Sequence, residues 1–202
     1  MRKKGFRVFW FTLSALFFLC AIGWGTYLFL EEARVSETTD QLLSTAKEII
    51  AQKKDGVDRE RIPDYVIDPS REMPTVEVDE ISMVAQLSFP SLNLELPVAD
   101  DWSYDLLRNA PCRYSGTPYQ APMVILGHNY TRHFGKLTNL SVGDKVYLTD
   151  AEGYVFSFTV REMETLPSTA VEEVTLSDWP LTLFTCDLSG NNRFTVRLTK
   201  DA

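Results

Sequence analysis

From Val8 to Leu30 the chain runs 23 positions without a charged residue. As a helix rising 1.5 Å per residue this stretch spans about 34 Å, more than the roughly 30 Å hydrocarbon core of a bilayer. A helix apolar on every side is the pattern of a membrane span rather than of a helix on the surface of a soluble domain. Arg2, Lys3, Lys4 and Arg7 precede it and Glu31 and Glu32 follow it, so the excess of basic residues places the amino terminus in the cytoplasm and the body outside. A cleaved signal peptide has a shorter apolar run, of about 7–15 residues, and a small-residue cleavage site. This run ends in Tyr27-Leu28-Phe29-Leu30, which predicts an uncleaved anchor over residues 1–30.

The pattern then changes twice. Leu42, Leu43, Ala46, Ile49 and Ile50 recur at helical spacing, and Lys53, Lys54 and Gly56 suit a helix end. Residues 31–56 are therefore expected to form an amphipathic stalk helix that lifts the body off the membrane. Pro63, Pro69 and Pro74 lie among many charges over 57–80, which reads as a linker, and 31–80 is taken as one connecting region. From Ile81 the texture becomes short strands: MVAQLSF, LNLELPV, PMVILGH, DKVYLTD, YVFSFTVREME, LTLFTC and RFTVRLT. They are separated by turn signals such as Ser141-Val142-Gly143-Asp144 and Ala151-Glu152-Gly153. Seven or eight strands with little helix between them predict one all-β barrel or sandwich over 81–202.

Composition changes this picture little. Apolar residues make up 45% of the 202 positions, charged ones 24%, with 10 Gly and 10 Pro. That excludes a collagen-like or wholly disordered chain. The net charge of −8 is uneven: the first 30 residues carry four bases and no acid, leaving 16 of the 20 basic residues to face all 28 acidic ones. An acidic body argues against nucleic acid as a partner.

Chemistry is concentrated in few residues. His128 stands where the apolar strand Met123-Val124-Ile125-Leu126-Gly127 runs out, and Cys186 ends Leu181-Thr182-Leu183-Phe184-Thr185. Functional groups gather at such strand ends, where loops leave a rigid sheet. A thiol beside an imidazole supplies a nucleophile and a proton carrier, and Arg193, opening the next strand, supplies positive charge for an oxyanion. On spacing alone Cys186 is equally a reactive thiol or one half of a Cys112–Cys186 disulfide. On the same basis His128 reads somewhat more readily as a structural histidine, and Arg193 more readily as a surface strand charge. Cys112, His128, His133 and Cys186 lack the spacing of a zinc site.

Taken in order, these segments resemble the sortases, the cysteine transpeptidases of the Gram-positive cell surface, from about Gln86 to Leu198. The resemblance rests on Leu87 to Val98, on Leu126-Gly127-His128-Asn129, and on Phe134-Gly135-Lys136-Leu137 through Val142-Gly143-Asp144-Lys145-Val146-Tyr147. It rests further on Thr182-Leu183-Phe184-Thr185-Cys186, which fits the TLxTC signature, and on Arg193-Phe194-Thr195-Val196. It implies an eight-stranded β-barrel with short helices, and a Cys that attacks the Thr–Gly bond of an LPXTG-like sorting signal near the carboxyl end of a secreted protein. The resulting thioester passes to an amine of a cell-wall precursor or a pilin. Carried over residue by residue, Cys186 is the nucleophile, His128 the general acid, Arg193 the substrate or oxyanion ligand, and Thr185 lines the groove. No cofactor or metal is implied.

Asp68-Pro69-Ser70 resembles the lid of pilin-polymerising members, but lacks the aromatic expected next, and no apolar segment follows Arg197. The expectation is a housekeeping or class B/D-like anchoring enzyme. Two rivals remain at this point: a non-enzymatic extracellular β-domain, or another cell-wall cysteine peptidase. An L,D-transpeptidase would carry Ser-x-Gly before its Cys, where Leu183-Phe184-Thr185 stands. A papain-like enzyme would place its Cys ahead of its His, and here His128 comes first.

Overall fold

The computed structural model describes residues 2–55, 62–120, 122–187 and 189–201. Gly56, expected as the helix stop, the first part of the expected linker at 57–61, and Leu188 in the loop after Cys186 lie outside these residues.

One unbroken helix, α1 (Arg2–Asp55), carries both the apolar run and the expected stalk. It is long and apolar enough to cross a membrane, and Phe9, Trp10, Phe11, Phe17 and Phe18 are all exposed. Its second half does not lift the body away. Val35, Thr39, Leu42, Leu43, Ala46 and Ile50 form a buried stripe at the three- and four-residue spacing of one helix face, and the barrel covers it. The stalk expectation is corrected for a physical reason. The stripe is continuous over four turns, and leaving it in water would expose several side chains, each worth about 1.5–3 kcal/mol when buried.

The strands are β1 (Val76–Val78), β2 (Ile81–Phe89), β3 (Leu94–Ala99), β4 (Cys112–Ser115), β5 (Met123–Gly127), β6 (Lys145–Asp150), β7 (Val155–Pro167), β8 (Leu181–Cys186) and β9 (Asn192–Lys200). Eight of them close a ring in the order β2-β3-β4-β5-β8-β9-β7-β6, sealed by antiparallel pairing of β6 back onto β2 from Ala85↔Asp150 to Ser88↔Tyr147. This is the expected eight-stranded barrel. β1 is added outside the ring, antiparallel to β2. Among the described residues three short α-helices, α2 (Asp64–Ile67), α3 (Tyr104–Leu107) and α4 (Val171–Thr175), and two 3-10 helices, Pro90–Leu92 and Phe134–Asn139, complete the body.

Two apolar clusters hold these parts. One fills the barrel with Leu87, Phe89, Leu96, Met123, Ile125, Phe134, Leu148, Phe158, Leu183, Val196 and others. The second lies outside the ring and joins Leu42 and Ala46 of α1 to Val76 and Val78 of β1, and to Met83, Ala99, Leu107, Ala110 and Cys112. The stretch read as linker is therefore built into the fold at two points. β1 is one. At the other, Tyr65 of α2 stacks on Tyr119 at 4.9 Å and meets Phe156 edge-on, while Arg71 pairs with Glu152 at 3.1 Å. Asp68-Pro69-Ser70 thus sits beside the β6–β7 turn. Because Phe158 is level with Lys200 and Leu166 with Arg193, that turn is at the barrel end away from Cys186. The segment is no lid over the cysteine.

Leu42→Ala should lower the stability of the full-length chain by about 2–5 kcal/mol, the usual cost of such a core truncation. A fall in Tm of the detergent-solubilised protein checks it, and a stalk standing clear of the barrel would leave Tm unchanged.

Candidate functional site

Parallel pairing of β5 with β8 sets Gly127 level with Thr185, and antiparallel pairing of β8 with β9 sets Cys186 level with Arg193. His128 follows Gly127 directly, so His128, Cys186 and Arg193 occupy adjacent register positions at the ends of three neighbouring strands. Strands lie about 4.8 Å apart, which places the histidine and the arginine one strand to either side of the cysteine. All three line a cleft of about 250 Å³ whose apolar walls include Trp102, Tyr104, Tyr114, Val171, Val174 and Phe184. Trp102 stacks on Tyr114 at 5.9 Å, and Tyr114 meets Phe184 edge-on at 6.4 Å. A second cleft, of about 620 Å³ and lined by Asn129, Thr138, Thr165, Asp187 and Ser189, reaches the other side of Cys186. The half-buried thiol is open to both. Thr185 borders both clefts as well, with its buried hydroxyl oxygen lacking a partner among the described residues.

The glycines of the histidine segment explain its conformation. A Cβ on Gly127 would come within 2.8 Å of the Phe134 ring, and one on Gly135 within 2.5 Å of the Asn129 carbonyl oxygen. Phe134 is fully buried against Phe89, and its N–H donates to the His128 carbonyl at 3.0 Å. The loop after His128 is thereby drawn into a tight turn on the core. The loop after Cys186 is tied differently. The Asp187 carboxylate accepts from Ser189 Oγ at 2.8 Å and Asn192 Nδ2 at 2.7 Å, and these bonds hold its carboxyl down at about 2. Arg193 donates to the Gly190 and Asn192 carbonyls at 3.1 and 3.2 Å.

Burial lowers the His128 pKa below its ordinary value, and the nearby Arg108 guanidinium lowers it further. His133 is not in the cleft. It is fully buried behind it, and desolvation together with the neighbouring His128 pushes it down to about 4. Cys112 is buried in the second apolar cluster, and desolvation pushes its thiol up to about 12. Both Cys112 and Cys186 are free thiols. Among the described residues no group of three or more His, Cys, Asp or Glu side chains is placed to hold a metal ion.

Arg197, on the same strand as Arg193, serves another purpose. It pairs across β8 with Thr182, four positions from Cys186, and is 3% exposed. Its guanidinium donates to Glu164 Oε1 and to the Glu173 and Val174 carbonyls at 2.9, 2.6 and 3.1 Å. It also donates to Ser177 Oγ and Thr182 Oγ1 at 3.0 and 3.1 Å. It clamps α4, one wall of the apolar cleft, to the barrel. Alternation puts both arginines on one strand face, and the short loop after Cys186 places Arg193 level with the cysteine and Arg197 four residues down the barrel, as the register has it; the clamp on α4 leaves no sign in the sequence.

Two outcomes are expected. Iodoacetamide at pH 8 should alkylate Cys186 at least about 100-fold faster than Cys112, because only a thiolate with access reacts; peptide mapping by mass spectrometry reads both. Arg108→Gln removes a positive charge near His128, so the imidazolium is favoured and its titration moves to higher pH. With two histidines in the chain, two ring C–H signals in NMR suffice to follow it, and a shift to lower pH would contradict the assignment of cause.

Comparison with known proteins follows the same lines. The chain matches the family model for the sortase domain over residues 87–201. No curated protein matches it significantly. Among solved structures it is similar to sortase C of Streptococcus pneumoniae, with a TM-score of 0.62 and 18% identity, covering 79% of this chain and 97% of that one. It is also similar to sortase C-3 of the same organism, with a TM-score of 0.54 and 25% identity, covering 88% and 85%. A third is sortase C of Clostridium perfringens, solved with the C-terminal cell wall sorting motif, with a TM-score of 0.52 and 20% identity, covering 81% and 89%. With the family model matching more than half its length and the barrel closed in the expected way, the chain belongs to the sortase family, the cysteine transpeptidases of the cell wall.

Proposed function

We propose that this protein is a membrane-anchored transpeptidase that cleaves an LPXTG-like sorting signal with Cys186 and passes the acyl group to an amine of a cell-wall precursor or a pilin. The observation that carries the reading is the register that sets His128, Cys186 and Arg193 side by side on three strand ends above one cleft. The sorting motif held by the Clostridium perfringens sortase C supports the substrate class. The apolar walls suit the leucine and proline of such a motif, an extended peptide with side chains to bury.

In this reading Cys186 attacks as thiolate beside a protonated His128, and its sulfur forms the S–C bond to the threonine carbonyl carbon. The carbonyl electron pair moves onto oxygen, where the Arg193 guanidinium balances the charge. When that pair returns, the C–N bond to glycine breaks, and His128 gives its proton to the departing amine. The acceptor amine then attacks the thioester and forms the new C–N bond, its proton passes to the now neutral His128, and the S–C bond breaks with Cys186 leaving as thiolate. The lowered pKa of His128 makes its proton easier to give up. It also makes the charged acid scarcer as pH rises, so acylation should fall on the alkaline side. Thr185 lines the groove beside the acyl carbon. The apolar half of α1 serves as the anchor, with the basic residues before it in the cytoplasm and the barrel outside.

The full-length chain, incubated with a library of LPXTG-like peptides, should give a cleaved Thr–Gly bond and an acyl adduct at Cys186 by mass spectrometry. Cys186→Ala should abolish both, whereas Cys112→Ala should keep them. Arg193→Lys should lose on the order of 10²–10³ in kcat/KM, since a compact ammonium replaces a planar fork poorly. An active Cys186→Ala, or an inactive Cys112→Ala that remains folded, overturns the assignment.

A further inference from the structure

We propose that α1 is a working part of the active centre: Thr39, with Glu32 and Asp40, forms a set of positioning residues that hold the His128 imidazole in place through the loop that follows it. This rests on the reading of His128 as the general acid. The loop from His128 to Phe134 meets the helix at three successive residues. The Thr131 N–H donates to Glu32 Oε1 at 2.6 Å. Arg132 Nε donates to Asp40 Oδ1 at 2.8 Å, and its second nitrogen bonds the same oxygen. His133 Nε2 lies 2.8 Å from Thr39 Oγ1. Positions 32, 39 and 40 are seven and eight residues apart, one face of the helix over two turns.

The bond at Thr39 is the deepest of the three. Thr39 and His133 are both fully buried. Thr39 has one hydroxyl proton, and it goes to the Asn109 carbonyl at 2.9 Å. The proton between Thr39 and His133 must therefore come from the ring, which makes Nε2 the protonated nitrogen and leaves Nδ1 bare; Nδ1 has no partner among the described residues. One hydroxyl thus joins α1 to the histidine loop and to the segment after α3 at the rim of the cleft. From His133 the path to His128 runs through one ring. Tyr130 meets His133 edge-on at 5.5 Å and lies against His128 at 5.1 Å. Apolar packing sets how close the helix sits. The polar bonds fix its rotation and depth, because moving the helix by one residue strands a buried donor or acceptor, at about 1–3 kcal/mol each.

The experiment uses the full-length chain in lipid nanodiscs, with Thr39→Val, which keeps the shape and removes the hydroxyl, Thr39→Ser, which restores it, and Ile50→Ala as a control. Ile50 is buried on the same helix, 11 residues and about 16 Å beyond Thr39. The measurements are kcat and KM on the LPXTG-series peptide that the parent cleaves fastest, the ring C–H signal of His128 in NMR, and Tm. Thr39→Val should lower kcat by about 10- to 100-fold, the scale of a misplaced catalytic group, with KM within about two-fold, and should shift or broaden the His128 signal. Thr39→Ser should return both to the parent values. Ile50→Ala should lower Tm while leaving kcat and the His128 signal as in the parent. The proposal is overturned if Thr39→Val leaves the His128 signal unmoved, whatever happens to kcat, or if Ile50→Ala perturbs kcat equally. Should His128→Gln prove fully active, the general-acid reading fails, but the His128 signal in Thr39→Val still decides whether α1 positions the ring.

Discussion

The parallel pairing of β5 with β8 joins strands whose sequences are more than 50 residues apart, and the site depends on it. Its register puts Gly127 beside Thr185, and so puts the next two residues, His128 and Cys186, beside each other. A slip of one position would send every side chain of a strand to the opposite face, moving Ile125 or Leu183 out of the barrel interior. The apolar core therefore enforces the register far more strongly than any contact between the two functional side chains. β9 adds Arg193 on the same principle, held by nine-residue pairing with β7 and six with β8. The functional side chains of the cleft are consequently not needed to hold the strands in place, and among the described residues Arg193 spends its hydrogen bonds only on the Gly190 and Asn192 carbonyls of the adjoining loop.

Around this rigid frame the loops are tied by local chemistry. Gly127 admits the Phe134 ring and Gly135 admits the Asn129 carbonyl, which turns the histidine loop back onto the core. Asp187 closes the cysteine loop through its own side chain. Arg197 gathers five acceptors behind α4. The three ties use close packing, a carboxylate and a buried guanidinium, and between them they fix borders of both clefts beside Cys186.

Much of this was legible in the chain. Alternation and turn residues gave the strands, and the motifs at Gly127-His128, Thr185-Cys186 and Arg193 located the residues that the fold brings together. What escaped the sequence shares one cause: polar groups whose meaning depends on distant partners. Thr39 lies inside the expected stalk helix with nothing to mark it, until His133, 94 positions on, supplies its reason. Arg197 is only an arginine four residues down the strand from Arg193, until Glu164 and the α4 carbonyls account for it. β1 has three residues, too few for alternation to register among prolines and charges. The Asp68-Pro69-Ser70 likeness, already weakened by the missing aromatic, could not be placed from the sequence, because a local motif carries no information about which end of the barrel it will reach.

The unbroken course of α1 has a consequence for orientation. A helix with no hinge preserves a fixed phase of 100° per residue between its apolar half and the face that grips the barrel. Glu32, at the boundary between the two, touches the histidine loop, and Lys53, about 32 Å further along the axis, reaches the Thr75 carbonyl. The barrel therefore cannot swivel about its tether as a domain on a flexible leash would. Whatever surface grips residues 9–30 also dictates the direction and the height at which the cleft is presented, and inserting a single residue near position 31 would turn the cleft by about 100° around the helix axis.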